Sequence, residues 1–169
     1  ISAGMWNSIS RLSQVLSDGL DLVITNIWIS AYLMGELSIA QQIPTYISTL
    51  TNTLINLFSP NLTMYYAKDD TEAVVKELKL SMKFSSFFVN IIFCILVIFG
   101  KYFMQLWVPN QDVNLIYSLL VVIMMSLLVS GVTTSLNNVF LVTNRLKVNS
   151  IFWLIISFTN VLLVFIFLN

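Results

Sequence analysis

Histidine is absent from this sequence, and cysteine occurs once, at Cys94. These two gaps exclude an internal disulfide, a Cys/His zinc site, a Ser-His-Asp or Cys-His nucleophile pair and a histidine proton relay. Cys94 lies in the run Ile91-Ile92-Phe93-Cys94-Ile95-Leu96, where it reads as a small apolar residue. Charge is scarce as well: only 9% of residues are charged, and eight Lys plus Arg balance eight Asp plus Glu. A net charge of zero gives neither a basic field for nucleic acid nor an acidic tail. An initiator methionine is missing, as is a basic segment followed by a short apolar core and a cleavage site. With an apolar run reaching to Leu168, both ends are expected to be cuts through a longer polypeptide.

What the chain has in abundance is apolar surface. Hydrophobic residues make up 57% of it, and its mean hydropathy is +0.87, so the solvent for most of that surface is expected to be lipid. Crossing about 30 Å of hydrocarbon takes about 20 helical residues. Five runs qualify: 5–34, 37–64, 84–107, 114–141 and 148–168. The fold class expected is therefore all-α integral membrane, a single bundle of about five transmembrane helices over 1–169.

Charges sort between the joints. Lys68, Lys76, Lys79 and Lys83 fall in the second joint, and Arg145 and Lys147 in the fourth. Basic loops mark the cytoplasmic side, so these two joints are predicted to be cytoplasmic and the Gly35-Glu36 and Pro109 to Asp112 joints external. Within the second joint, Asp69 and Glu72 have capping-box spacing, and Val74, Val75, Leu78 and Met82 recur at helical intervals. This pattern predicts an amphipathic cytoplasmic surface helix over 69–83, with a solvated charged loop as the alternative.

The first run carries the chemistry. Asn7, Arg11, Gln14, Asp18, Asp21 and Thr25 are spaced by 4, 3, 4, 3 and 4, which keeps them within an arc of about 80° on a helix. An ionised group at such depth costs about 2.5–3.5 kcal/mol on the insertion scale. Two readings stand: polar groups satisfied by neighbouring helices, or the lining of a cavity. Arg11 and Asp18 lie about 10 Å apart along the axis and are poorly placed to neutralise one another. A guanidinium suits a phosphate. Two carboxylates one turn apart, Asp18 and Asp21, suit coupling to H⁺ or Na⁺. No other cofactor is expected.

Weaker stripes run along the second span (Gln41, Thr45, Ser48, Asn52, Asn56) and the fourth (Ser126, Ser130, Thr133, Asn137). Residues of this kind serve close packing and cavity lining equally well. Pro44 and Gly131 are kink candidates. Trp28, Tyr32, Tyr65, Tyr66, Tyr102 and Trp107 near the span ends read as interfacial anchors, and the sequon at Asn61-Leu62-Thr63 as a chance match.

Longer runs extend the reading. Trp6-Asn7-Ser8-Ile9-Ser10-Arg11-Leu12, Leu20-Asp21-Leu22-Val23-Ile24-Thr25-Asn26 and Met34-Gly35-Glu36-Leu37-Ser38-Ile39-Ala40 are followed by Phe58-Ser59-Pro60 to Tyr65-Tyr66-Ala67-Lys68. Further on come Phe99-Gly100-Lys101-Tyr102-Phe103 to Leu106-Trp107, and Leu136-Asn137-Asn138-Val139-Phe140 before Asn144-Arg145-Leu146-Lys147. Together they resemble the C-terminal half of polysaccharide and O-antigen flippases for lipid-linked oligosaccharides, within the multidrug, oligosaccharidyl-lipid and polysaccharide exporter superfamily. That resemblance implies two helical bundles facing across a central cavity that opens alternately to either side. This chain would be part of the C-terminal bundle, and the N-terminal bundle of the same protein its partner. The substrate implied is an undecaprenyl-pyrophosphate-linked oligosaccharide, and the location a bacterial inner membrane crossed several times. Arg11 would receive the pyrophosphate, with Asn7, Gln14, Asn52 and Asn137 lining the cavity and Asp18 and Asp21 coupling the ion. A drug/cation antiporter of the same fold is the alternative. A membrane glycosyltransferase or polymerase would need a sizeable loop of catalytic carboxylates or arginines; the longest polar joint reads as a surface helix, so no enzyme is expected.

Overall fold

A computed structural model describes residues 21–143 and 146–168, together with Met5, Ser8, Leu12 and Gly19. All regular structure among the described residues is helical: a π-helical turn at Thr25–Ile29, then α1 (Ala31–Asn56), α2 (Ser59–Ala67), α3 (Thr71–Trp107), α4 (Val113–Val142) and α5 (Leu146–Leu168). The chain was expected to form a single bundle; it divides into two compact units, Ile1–Gly35 with Asn144–Asn169, and Glu36–Thr143.

In the first unit the helical path breaks earlier than the Gly35-Glu36 joint predicts. Ser30 N–H donates to the Thr25 carbonyl at 3.0 Å, five residues back, closing the π-turn. Ser30 itself is extended (φ −170°, ψ 154°), and its hydroxyl accepts from Leu33 N–H at 3.1 Å. This makes Ser30 the N-cap of α1. Gly35 and Glu36 then fall inside a continuous helix, because a serine with a cap-competent oxygen stops a helix where a glycine beside a glutamate need not.

The second unit is built on the α3–α4 pair. Ser81, Ser85 and Val89 of α3 are buried where they meet Gly131 and Ser135 of α4. The Ser85 hydroxyl donates to the Gly131 carbonyl at 3.0 Å, and the Ser81 and Ser135 hydroxyls bond to each other at 3.2 Å. A Cβ on Gly131 would stand 3.3 Å from Val89 Cγ2, so the glycine lets the two backbones approach, as small residues do in membrane helix pairs. Toward the other end, Ala40, Ile47, Met104, Ile116, Leu120 and Met124 form the apolar core. There the Tyr117 hydroxyl donates to the Val97 carbonyl at 2.7 Å, across a surface left open by Gly100, whose added Cβ would meet the Tyr117 ring at 3.2 Å.

The surface helix expected over 69–83 is not a separate element. Residues 71–83 are the first third of α3, a helix of 37 residues and about 55 Å. The corner before it explains why. Asp69 N–H donates to the Tyr66 carbonyl and Asp70 N–H to that of Tyr65, each at 3.1 Å, the paired bonds of a Schellman ending for α2. They hold Asp69 at φ 55°, a left-handed conformation that aspartate tolerates better than most residues. Asp70, not Asp69, caps α3, its carboxylate accepting from Ala73 N–H at 2.9 Å. Likewise the second predicted span, 37–64, is two helices, α1 and α2, parted at Leu57-Phe58.

Two helices among the described residues are long and apolar enough to cross a membrane: α3, with mean hydropathy 2.2 in its best window, and α4, with 2.5. Only 11% and 22% of those windows are buried within the protein. A soluble protein would hide such helices in its core, whereas these leave Phe87, Ile91, Ile98, Phe99, Val122, Met125 and Val129 on the outside. The fold is all-α and membrane-like, with lipid as the solvent of these faces.

Candidate functional site

α1 differs from its neighbours in which face it shows. Its buried side carries Glu36, Ala40, Pro44, Ile47, Thr51 and Ile55, spaced by fours and threes so that one stripe meets the core. Gln42, Thr45, Thr49, Asn52, Thr53 and Asn56 are exposed, with Gln41 and Ser48 half-buried between the two faces. The threonine hydroxyls on this side donate within the helix, Thr45 to the Gln41 carbonyl at 2.7 Å and Thr49 to that of Thr45 at 2.9 Å. An intrahelical bond of this kind lets a hydroxyl tolerate lipid. Among the described residues the exposed amides of Gln42, Asn52 and Asn56 make no such bond, and leaving an amide unsatisfied in hydrocarbon costs at least about 2 kcal/mol. This face therefore belongs against water, polar protein or a ligand, in contrast to the exposed faces of α3 and α4.

At mid-length the polar face folds inward. Ser48, Thr51 and Asn52 of α1 meet Val89 of α3 and Leu127, Ser130, Gly131 and Thr134 of α4 around a notch of about 10 Å³, room for about one water. The stripes on the second and fourth spans thus come together at this notch, which Ser48, Asn52 and Ser130 all line. Elsewhere the fourth-span stripe does not line the seam. Ser126 and Thr133 are exposed, and each hydroxyl is bonded to a carbonyl three residues back, at 2.7 and 3.0 Å. Asn137 is half-buried. Its neighbour Asn138 is the buried one, exchanging hydrogen bonds with the Ser59 hydroxyl, with its amide nitrogen 2.7 Å from that oxygen.

Of the other predicted site residues, Asn7, Arg11, Gln14 and Asp18 lie outside the described residues. Asp21 is half-buried, and its backbone carbonyl accepts from the Thr25 hydroxyl at 2.7 Å. The carboxylate that sequence reasoning missed is Glu36, which had been placed in an external joint. It is 1% exposed. One oxygen, Oε1, accepts from Asp112 N–H at a long 3.4 Å, and Oε2, fully buried, has no partner among the described residues. The missed signal was helical: Glu36, Ala40, Pro44 and Ile47 already share a face with the core if the helix starts before Gly35.

Comparison with known proteins is consistent with this membrane reading. Over 161 residues the chain is 25% identical to an uncharacterized membrane protein, EpsK, of Bacillus subtilis (strain 168). The match covers 95% of this chain and 32% of that relative, so the chain spans about a third of its length. No family model matches the sequence, and no solved structure matches it.

Proposed function

We propose that this chain is part of a multi-pass transporter of the inner membrane of a bacterium, a flippase that moves undecaprenyl-pyrophosphate-linked oligosaccharide by alternating access for capsule or O-antigen synthesis. The observation that carries the reading is the exposed polar face of α1. Beside the apolar membrane windows of α3 and α4, a face bearing Gln42, Thr45, Thr49, Asn52 and Asn56 is what a sugar-lined pathway requires. The remaining two thirds of the protein would supply the opposite wall. Arg11 would hold the pyrophosphate, with Asn7, Gln14, Asn52 and Asn137 toward the sugars. Asp18 and Asp21 would carry the coupling H⁺ or Na⁺. To these we add Glu36, because a buried carboxylate oxygen without a partner among the described residues is suited to holding a proton or a monovalent cation. The reading includes no chemical step, so the protein acts as a transporter and not as an enzyme.

The test is complementation by the full-length protein in cells lacking their capsule or O-antigen flippase, with protein levels checked. Surface polysaccharide should return with the unaltered protein and fall with Asn52→Leu and Arg11→Ala, each tested separately. Failure of the unaltered, normally inserted protein in its own host strain refutes the flippase reading. Full export by both variants removes the site assignment and leaves the polar face as packing.

A further inference from the structure

The outward line of α3 carries a second recognisable surface. At about 100° per residue, Lys76, Lys79 and Lys83 fall within an arc of about 60°, on the side of the helix opposite the buried Ser81 and Ser85. All three lysines are exposed, and among the described residues none has a carboxylate within ion-pair distance. Glu77 is turned to α2, where its Oε1 accepts from Asn61 Nδ2 at 2.8 Å. The same line continues through Phe87, Ile91, Cys94 and Ile98, all exposed, and ends at Lys101, also exposed. Lys83 and Lys101 are eighteen residues apart, five helical turns and about 27 Å, so they stand on one line and bracket one hydrocarbon thickness of about 30 Å.

We propose that this face of α3 is a docking surface for anionic phospholipid, with acyl chains along Phe87, Ile91, Cys94 and Ile98 and the headgroup phosphate held by Lys76, Lys79 and Lys83. Three features argue for a lipid occupant. The apolar stretch from Phe87 to Ile98 is about 16 Å long, the depth of one leaflet of the hydrocarbon layer, and the exposed Asn90 beside it has its amide bonded to the Ser86 carbonyl at 2.8 Å. The lysines begin where it ends, within about 10 Å along the axis, the depth at which snorkelling ammonium groups meet phosphates. Asp69 and Asp70 precede α3, and Glu72 stands one turn before Lys76, so along the last two turns before the apolar stretch the outward line carries only the three lysines. The lysines also line an open groove of about 770 Å³ together with Val75 and Leu80 and the two carboxylates Glu72 and Glu77, so three cations face two anions there and the balance is positive. This inference is independent of what the protein transports.

The experiment uses the full-length protein in nanodiscs of phosphatidylcholine with a minor fraction of phosphatidylglycerol, counting co-purified lipids of each kind by mass spectrometry after mild detergent extraction. Unaltered protein should retain phosphatidylglycerol over phosphatidylcholine by at least about fivefold, the factor given by about 1 kcal/mol for a single surface lysine. That preference should fall severalfold in K76Q/K79Q/K83Q and persist in the triple arginine variant, which keeps charge. Thermal melting of each variant establishes folding, and Lys101→Gln gives the comparison at the other end. No preference in the unaltered protein, as when another part of the chain covers this face, overturns the proposal. So does a preference unchanged in folded K76Q/K79Q/K83Q.

Discussion

Replacing Gly131 by leucine probes the α3–α4 seam directly, because its effect can be worked from the geometry of the seam. A Cβ alone would lie 3.3 Å from Val89 Cγ2, tight enough that the valine must give by a few tenths of an ångström. Alanine at this position should therefore be near neutral, gaining up to about 1 kcal/mol of helix propensity and losing a similar amount in the contact. Leucine places three more carbons in the same space, an overpacking of about 1–3 kcal/mol. As the helices part, they also strain the Ser85–Gly131 and Ser81–Ser135 bonds, worth about 0.6 kcal/mol each in lipid. The sum is about 2–4 kcal/mol. Truncating Val89 to alanine in the same chain removes the colliding methyls, so V89A/G131L should recover about half of that loss, a coupling of at least about 1 kcal/mol. Thermal unfolding of the full-length protein in detergent, followed by its retention on size exclusion, measures all four members of the cycle. A G131L protein that melts with the unaltered one, or a double variant no more stable than G131L, would refute the packing argument.

Other outcomes follow from the caps, the tyrosine bond and the buried carboxylate. Asp70→Ala should lower stability by about 1 kcal/mol through loss of the α3 cap, whereas Asp69→Gly should match or exceed the unaltered protein and Asp69→Val should lose about 1–2 kcal/mol; the order of the three melting temperatures decides which aspartate is which. Tyr117→Phe should cost about 1 kcal/mol by removing the bond to the Val97 carbonyl, and Gly100→Val should cost more by displacing the whole ring, so equal melting temperatures would contradict the contact. Glu36→Gln keeps the acceptor for Asp112 N–H and should stay within about 1 kcal/mol in stability; on the proposed coupling role, export in the complementation assay should drop, and normal export would remove Glu36 from that role.

Local chemistry made part of this molecule legible from its residues alone. The length and hydropathy of 84–107 and 114–141 determined that α3 and α4 would be apolar helices, since helix formation in hydrocarbon depends on composition and on satisfying the backbone within the segment. Breaks and registers were another matter. The stop at Ser30 depends on a hydroxyl accepting from Leu33, and the corner at Asp69 on a paired set of backbone bonds; neither is visible in hydropathy. That 71–83 continues α3 followed from Asp70 capping a helix with no interruption before Trp107. Most of all, spacing located stripes of small polar residues without saying which were buried. On α4 the stripe runs through Ser130 and Asn137, yet the buried residues are Gly131, Ser135 and Asn138. Both sets have helical spacing, and only the partner helices, with Ser81, Ser85 and Val89 of α3 meeting Gly131 and Ser135 and Ser59 of α2 meeting Asn138, decide between the two. Glu36 gives the same lesson for charge: its side chain is as polar in a loop as in a core, and it was the packing of α1 against the turn at Asp112 that buried it.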